Sequence, residues 1–296
     1  MLLTAETRVD LCVAGLVYFE ILVPAIPVPE PGQESFVERI QLGLGGALNS
    51  ASVASALGLN VLLAHPRGEG LSDAAIAQRI TDLGIATLNW PSRKDPAVSL
   101  VFSGADDRAF VSSADFESLH HCIPLPAARW VHAPGLLEAR YLAEPLAKAR
   151  SQGARISVSG SWAPAELSAL QKLTAQPWDL LILNDKEAAY AVGDPRLAST
   201  RLQGAASSIV VTAGPRGAYG QMEGVSVSCP GEQVVAKDFT GAGDAFCAGL
   251  LACLIRDRRG NEALRYACRV AARLLAQTGG VVEDPALLAD IEAGHD

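Results

Sequence analysis

The segment Lys237-Asp238-Phe239-Thr240-Gly241-Ala242-Gly243-Asp244-Ala245-Phe246 places two carboxylates around a glycine–alanine–glycine turn. A strand-like run, Gln233–Ala236, precedes it, and a helix is expected over Ala242–Arg256. Small residues allow consecutive N–H groups to converge in one concavity. At a helix N-terminus those donors meet the positive end of the dipole, which suits a phosphoryl group or a developing oxyanion. Asp244 could then take a proton from an attacking hydroxyl while the amides of Gly241, Ala242 and Gly243 hold the transferring group. By itself the segment is equally a tight turn closed by a dipole-complementing carboxylate. Other phosphate devices are missing from the sequence: there is no Walker A lysine, no GxGxxG and no His-Arg-Asp loop.

Three further motifs precede this one. Leu42-Gly-Leu-Gly-Gly-Ala-Leu-Asn49 sets a glycine pair, Gly45 and Gly46, before a helix; Asn184-Asp-Lys-Glu187 opens another; Thr212-Ala-Gly214-Pro-Arg-Gly217 is a glycine-punctuated turn. Asn184 and Glu187 are spaced to share one side of a helix start. A carboxylate at that place is also favoured by the dipole alone.

In this order the four motifs resemble those of the ribokinase-like (PfkB) carbohydrate kinases, whose C-terminal signature is D-T-x-G-A-G-D. Asp238 to Asp244 departs from it only at Phe239. The resemblance implies a three-layer α/β/α, doubly wound, mainly parallel sheet carrying a small β-sheet lid. It implies an ATP-dependent transfer of the γ-phosphoryl group to a hydroxyl of a sugar or sugar-like acceptor. Asp244 would be the base and Gly241, Ala242 and Gly243 the anion hole. Glu20, Gly45, Gly46, Asn49 and Asp244 would hold the acceptor. Asn184, Thr212, Gly214, Gly217, Gly243 and Cys268 would contact ATP, and Glu187 would hold Mg2+ through water. Asp238 and Thr240 match the positions of a monovalent cation, so K+ is a further expected cofactor, with carbonyls near Leu274–Gly280 as co-ligands.

Departures from the family pattern gather at the acceptor. Glu20 stands where an aspartate is common, Tyr18 replaces an asparagine, and two residues rather than three separate the glycine pair from Asn49. A nucleoside kinase on the same scaffold is the enzyme alternative. A catalytically silent sugar- or nucleotide-binding relative is the alternative of another class, disfavoured by the intact Asp244 and glycines. An open sheet edge in the lid invites a homodimer, while the proline-rich stretch 24–31 would blunt that edge, so the sequence leaves both states open.

The elements that position these residues follow a repeated order. Leu48–Leu57, Asp73–Leu83 and Tyr141–Gln152 read as helices, each stopped by a glycine (Gly58, Gly84, Gly153) and followed by an apolar strand (Val61–Ala64, Ile85–Leu88, Arg155–Val158). That order predicts a parallel sheet with helices on both faces. Asp179–Leu183 and Ile209–Thr212 read as further strands, and Asn261–Thr278 as a last long helix. Residues 16–43, rich in proline, and 97–113, alternating around Gly104-Ala105-Asp106-Asp107, read as strands and hairpins. They define a lid, leaving 1–15, 44–96 and 114–296 as the α/β core.

With 296 residues, 49% hydrophobic and 19% charged, the chain has material for a large core. Its 24 Lys and Arg against 32 Asp and Glu leave a net charge of −8, which argues against nucleic acid or anionic membranes as partners. The six cysteines include no CxxC pair and read as buried thiols of a reducing cytosol. No apolar run is long enough to cross a membrane, and Glu6, Arg8 and Asp10 interrupt the place of a signal peptide. The expected location is cytoplasmic. The five histidines lack metal-ligand spacing and read as core or surface residues. Among the scarce aromatics, Tyr18, Phe19, Phe36, Phe102 and Phe110 gather in the expected lid as candidate substrate contacts.

Overall fold

Strand β1 (Val9–Ala14) is buried on both sides: Leu11 and Val13 enter one apolar cluster, Cys12 and Ala14 another. Such double burial is why the strand reads as a continuous apolar run rather than an alternation. The computed structural model describes residues 9–24, 26, 27, 29–103 and 108–291. Glu6, Arg8 and residues 104–107 lie outside them, as does the first part of the expected core segment 1–15.

After β1 come β2 (Val17–Val23), β3 (Gln41–Gly46), α1 (Ala47–Ala56), β4 (Val61–Arg67), α2 (Leu71–Asp82), β5 (Ala86–Pro91), β6 (Ala97–Ser103), β7 (Arg108–Ala114) and β8 (Ala128–Ala133). Then follow α3 (Leu136–Tyr141), α4 (Ala143–Ser151), β9 (Arg155–Ser159), α5 (Pro164–Ala169), β10 (Trp178–Asn184), α6 (Asp185–Val192), α7 (Ala198–Arg201) and β11 (Ala206–Thr212). The chain continues through β12 (Ala218–Met222) and β13 (Val225–Cys229) to α8 (Ala242–Ile255) and α9 (Gly260–Leu274).

The main sheet runs β13-β12-β11-β10-β9-β8-β1-β4-β5. It is parallel from β11 to β5, with β12 and β13 antiparallel at one edge. Helices α1, α2, α8 and α9 cover one face and α3 to α7 the other. The alternation seen in β1 recurs in β10, where Leu180 and Ile182 face α8 and α9's cluster while Leu181 and Leu183 face the other. A separate sheet, β3-β2-β6-β7, is mixed: β2 pairs antiparallel with β3 and parallel with β6. Its strands run to Gly46 and Ala114, past the expected limits 43 and 113.

The three glycine stops behave as the sequence predicts: Gly58, Gly84 and Gly153 all have positive φ, 79°, 66° and 92°, ending α1, α2 and α4 in a conformation a side chain would strain. Three expectations need correction. The run Gln233–Ala236 is not a strand; Val235 is 95% exposed and the segment has no partner strand to pair with among the described residues. The helix expected over Tyr141–Gln152 starts earlier and is broken at Leu142 into α3 and α4, with Pro145 in the first turn of α4, where a missing N–H costs nothing. Helix α9 ends at Leu274 rather than Thr278, because other partners capture the backbone beyond: Lys237 N–H donates to Leu275 O at 2.8 Å and Gly279 N–H to Asp238 Oδ2 at 2.8 Å.

Candidate functional site

Helix α8 is buried along its whole length from Ala245 to Ile255, as an all-apolar helix must be. It packs against α1 and α9, where a Cβ on Gly249 would press on Ala267 and Val270. That rigid setting fixes the position of its first turn. Gly241 caps the helix with φ 75°, and Gly243 faces open space on the wall of a cavity of about 720 Å3. The first full helical bond is Ala245 N–H to Gly241 O at 2.8 Å; before it, Ala242 N–H makes a longer turn contact with Phe239 O at 3.5 Å.

Asp244 lines this cavity and also a neighbouring one of about 340 Å3. Its carboxylate accepts a hydrogen bond from Asn49 Nδ2 at 2.9 Å. Burial pushes the Asp244 acid up to about 6, opposed by the bonds from Asn49 and Ser50. The smaller cavity is walled by Tyr18, Glu20, Gly46, Asn49, Ser99 and Ser112, with Phe239, Thr240 and Gly241 at the α8 end. Gly45 contributes by absence: a Cβ there would overlap Glu20 Oε1. Gly46, with φ 68°, lets the chain pass beneath the Tyr18 ring into α1.

The larger cavity lies at the C-terminal ends of the parallel strands, the expected ligand crevice of such a sheet. β9 supplies Ser159 and the following Gly160 and Ser161; β10 supplies Asn184; β11 supplies Thr212. Asn184 and Glu187 form a capping box on α6: Glu187 N–H donates to Asn184 Oδ1 at 2.8 Å, and Asn184 N–H to Glu187 Oε2 at 2.9 Å. Burial pushes the Glu187 acid up.

Gly214 and Gly217 lie beyond Thr212 in the β11–β12 turn, and neither they nor Cys268 line the two cavities. Gly217, with φ 92°, must be bare because a Cβ would overlap Cys229 O. Cys268 Sγ sits 3.3 Å from Cys229 Sγ, so it joins this turn through Cys229. Arg216 binds Asp185 at 2.7 Å, fastening the turn to the start of α6.

Asp238 is buried, and its two oxygens accept the N–H groups of Thr240 and Gly279, each at 2.8 Å. Thr240 Oγ1 is buried without a hydrogen-bond partner among the described residues. The segment after α9 is thus strapped over the site: Asp238 holds Gly279, a Cβ on Gly280 would press on Asn49, and Val282 N–H donates to Ser52 Oγ on α1 at 3.0 Å. Among the described residues no group of three His, Cys, Asp or Glu side chains could hold a metal. His65 and His132 are buried and pushed down to about 4, as neutral core residues.

Two cavity residues escape the motifs. Glu138 on α3 is buried and its acid is pushed up to about 7, chiefly by burial and further by Asp244. Its only sequence cue was a lone glutamate before an expected helix. Trp162, 61% exposed, packs edge-on against Tyr190 at 5.3 Å on the cavity wall; an exposed tryptophan after a strand end was the available signal. Of the lid aromatics, Tyr18 and Phe110 reach the cavities, whereas Phe19 packs on the core and Phe36 is 89% exposed.

The likeness to known proteins follows the same pattern. Over 97 residues, 32% of this chain, it is 33% identical to a fructokinase of Rhizobium leguminosarum bv. trifolii, spanning 29% of that relative's length. A probable sugar kinase from Rhizobium etli CFN 42 superposes with TM-score 0.83 at 17% identity, covering 98% of this chain and 99% of that one. Arabidopsis thaliana ribokinase, solved with ribose and ATP, does so with TM-score 0.78 at 16% identity over 98% and 100% of the two chains. These structural likenesses establish a shared ribokinase-like fold. Residues 10–286, which hold all four motifs and both cavities, match the pfkB family carbohydrate kinase model, and the chain belongs to that family.

Proposed function

We propose that this protein transfers the γ-phosphoryl group of ATP to a hydroxyl of a sugar or sugar-like acceptor. The observation that carries the reading is Asp244: half-buried, bonded to Asn49, and common to the walls of both cavities at the first turn of α8. The acceptor occupies the smaller cavity, held by Glu20 and Asn49, with its reacting hydroxyl at Asp244. Gly45 and Gly46 clear the space for Glu20 and for the chain's entry into α1. With its acid raised to about 6, Asp244 is ionised at neutral pH and a stronger base than an ordinary carboxylate. The amides of Gly241, Ala242 and Gly243 receive the charge spread over the transferred group, so catalysis is chiefly positioning and electrostatics.

ATP extends from this cradle past Asn184 and Thr212, with its base toward the turn of Gly214, Gly217 and Cys268. Mg2+ supplies charge neutralisation between the phosphates. Glu187 fits an ion held mainly by phosphate and water, since among the described residues no three His, Cys, Asp or Glu side chains group into a protein cage. The unpartnered Thr240 Oγ1 beside the Asp238 carboxylate fits K+ at the entrance to α8. Closure of the small sheet, whose Tyr18, Glu20, Phe110 and Ser112 wall the acceptor cavity, would exclude water. Homodimerisation through this sheet is supported by its solvent face, where Leu42, Leu100 and Val111 are exposed and aligned across β3, β2, β6 and β7 through Ile21.

Replacing Asp244 by Asn tests the reading. The expected result is a loss of kcat of about a hundredfold or more with ATP affinity retained, as for removal of a general base. Near-normal turnover would refute the assignment. A panel of sugars and nucleosides assayed for ADP release identifies the acceptor; preference for nucleosides overturns the sugar reading.

A further inference from the structure

Two sulfurs stand beside the turn after β11. Cys229, the last residue of β13, and Cys268 on α9 are free thiols, 7% and 8% exposed, with their Sγ atoms 3.3 Å apart. Strand β13 is the outer strand of the main sheet, so the pair lies just beneath one edge, where α9 packs on β13. A disulfide needs its sulfurs about 2.0 Å apart, so closing the bond calls for an approach of about 1.3 Å. An edge strand is laddered on one side only and can shift without breaking a second ladder. What lies on the far side of Cys229 has no slack. Cys229 pairs with Ala218, the residue after Gly217. A Cβ on Gly217 would overlap Cys229 O, and one on Gly231 would overlap Pro215 O. Residues 229–231 are therefore the floor on which the turn 214–217 rests, backbone against backbone, and close-packed groups transmit displacement.

The two thiols are not equivalent. The hydrogen bond from Cys268 holds Cys229 below the ordinary thiol range, outweighing burial, and the same bond pushes Cys268 up. Arg265 also favours the Cys229 thiolate, while Glu232, paired with Arg269 at 3.6 Å, opposes it. Burial instead pushes Cys12 and Cys122 up to about 12. Because the thiolate rather than the thiol is the nucleophile, Cys229 is the attacking member of the pair and Cys268 the resolving one.

We infer that Cys229 and Cys268 are an oxidative modification site: hydrogen peroxide converts them to a disulfide that draws β13 toward α9 and displaces the turn 214–217, which, resting on the ATP placement proposed above, weakens ATP binding. Peroxide, little larger than water, suits sulfurs so little exposed. The Cys229 thiolate attacks one peroxide oxygen; an S–O bond forms as the O–O bond breaks, and the departing hydroxide takes up the proton that Cys229 had released. The Cys268 sulfur then attacks the sulfenic sulfur. An S–S bond forms as the S–O bond breaks, and the hydroxyl leaves as a second water with the Cys268 proton. Two thiols are oxidised by two electrons in all, and one peroxide is reduced to two waters. A dithiol reverses the link by exchange.

The test takes the full chain, fully reduced and then exposed to hydrogen peroxide. Intact mass, peptide maps made without reduction, and calorimetric ATP binding are measured before and after. The expected result is the loss of two hydrogens, a peptide linked through Cys229 and Cys268, and an ATP Kd raised about fivefold or more, the lower end of ordinary coupling between sites. Dithiothreitol should reverse all three. Cys229→Ser should form no such link, and peroxide should leave its ATP affinity as it was before treatment. Oxidation of either cysteine without the link overturns the site. An unchanged ATP affinity in the linked protein, or an equal loss of affinity in Cys229→Ser, overturns the coupling to the turn. If the link forms in a protein that binds no ATP in either state, the ATP placement fails and the modification site stands.

Discussion

Asn49 Nδ2 and Asp244 Oδ2 lie 2.9 Å apart, joining the helix that follows the glycine pair to the helix that opens at Gly241. The bond holds the carboxylate in its ionised form against the pull of burial. Asn49→Ala removes it, so the Asp244 acid should rise above about 6. The acidic limb of the kcat/KM profile should then move up by roughly one pH unit. An unchanged limb would disconnect Asn49 from the base.

The same burial makes Asp244 a cost to the fold. Its folded acid, near 6, exceeds the ordinary 3.8, so its contribution to stability is full below about pH 4 and is lost as pH rises through 6. Asp244→Asn, which carries no charge, should raise stability at pH 7.5 by about 2–3 kcal/mol and have no such advantage near pH 4. Thermal unfolding of both proteins across that range measures the difference.

Gly45→Ala should damage acceptor binding and spare ATP. The new Cβ displaces the Glu20 carboxyl, whose space Gly45 provides. KM for the acceptor should rise about tenfold or more, since a misplaced anchor costs at least one good charge-assisted hydrogen bond. KM for ATP should stay within about twofold, as expected for a change confined to one substrate's anchor.

Glu187→Gln separates the helix cap from the metal. A glutamine preserves the capping box on Asn184, so folding should be unaffected. The Mg2+ concentration for half-maximal activity should rise about tenfold or more, as for loss of an outer ligand. An unchanged Mg2+ dependence would confine Glu187 to capping.

Val111→Arg places a charge in the row of exposed apolar residues on the small sheet. Sedimentation should show a dimer for the wild type and a monomer for the variant. A wild-type monomer would remove the proposed interface.

The glycine stops, the layer order and the glycine turn into α8 were legible because each depends on local chemistry: a positive φ, a doubly buried strand, a helix that starts in glycine. Asn49 was legible through its motif, although its bond to Asp244 spans the sequence. Glu138 was not, because what distinguishes it is its burial on the wall of the larger cavity with Asp244, a residue far away in sequence. Gln233–Ala236 misled for the opposite reason. β-branched residues suggest a strand, but pairing requires a neighbour that only the tertiary fold can supply. Likewise α9 stops at Leu274 because segments distant in sequence take the backbone beyond it: Lys237 N–H bonds Leu275 O, and Asp238 accepts the Gly279 N–H.

The strap formed by residues 275–282 ties the end of the last long helix to Asp238, Asn49 and Ser52. It has its own mechanical meaning. The proposed phosphoryl cradle draws on residues far apart in sequence, such as Asn49 and Asp244, and is latched by a stretch that follows all four motifs. A nascent chain that has not yet emitted this latch can hold every motif and still lack a set reaction geometry. Inserting or deleting one residue between Leu274 and Val282 should therefore disarm the site as surely as changing Asp244, without touching a single group that meets the substrate.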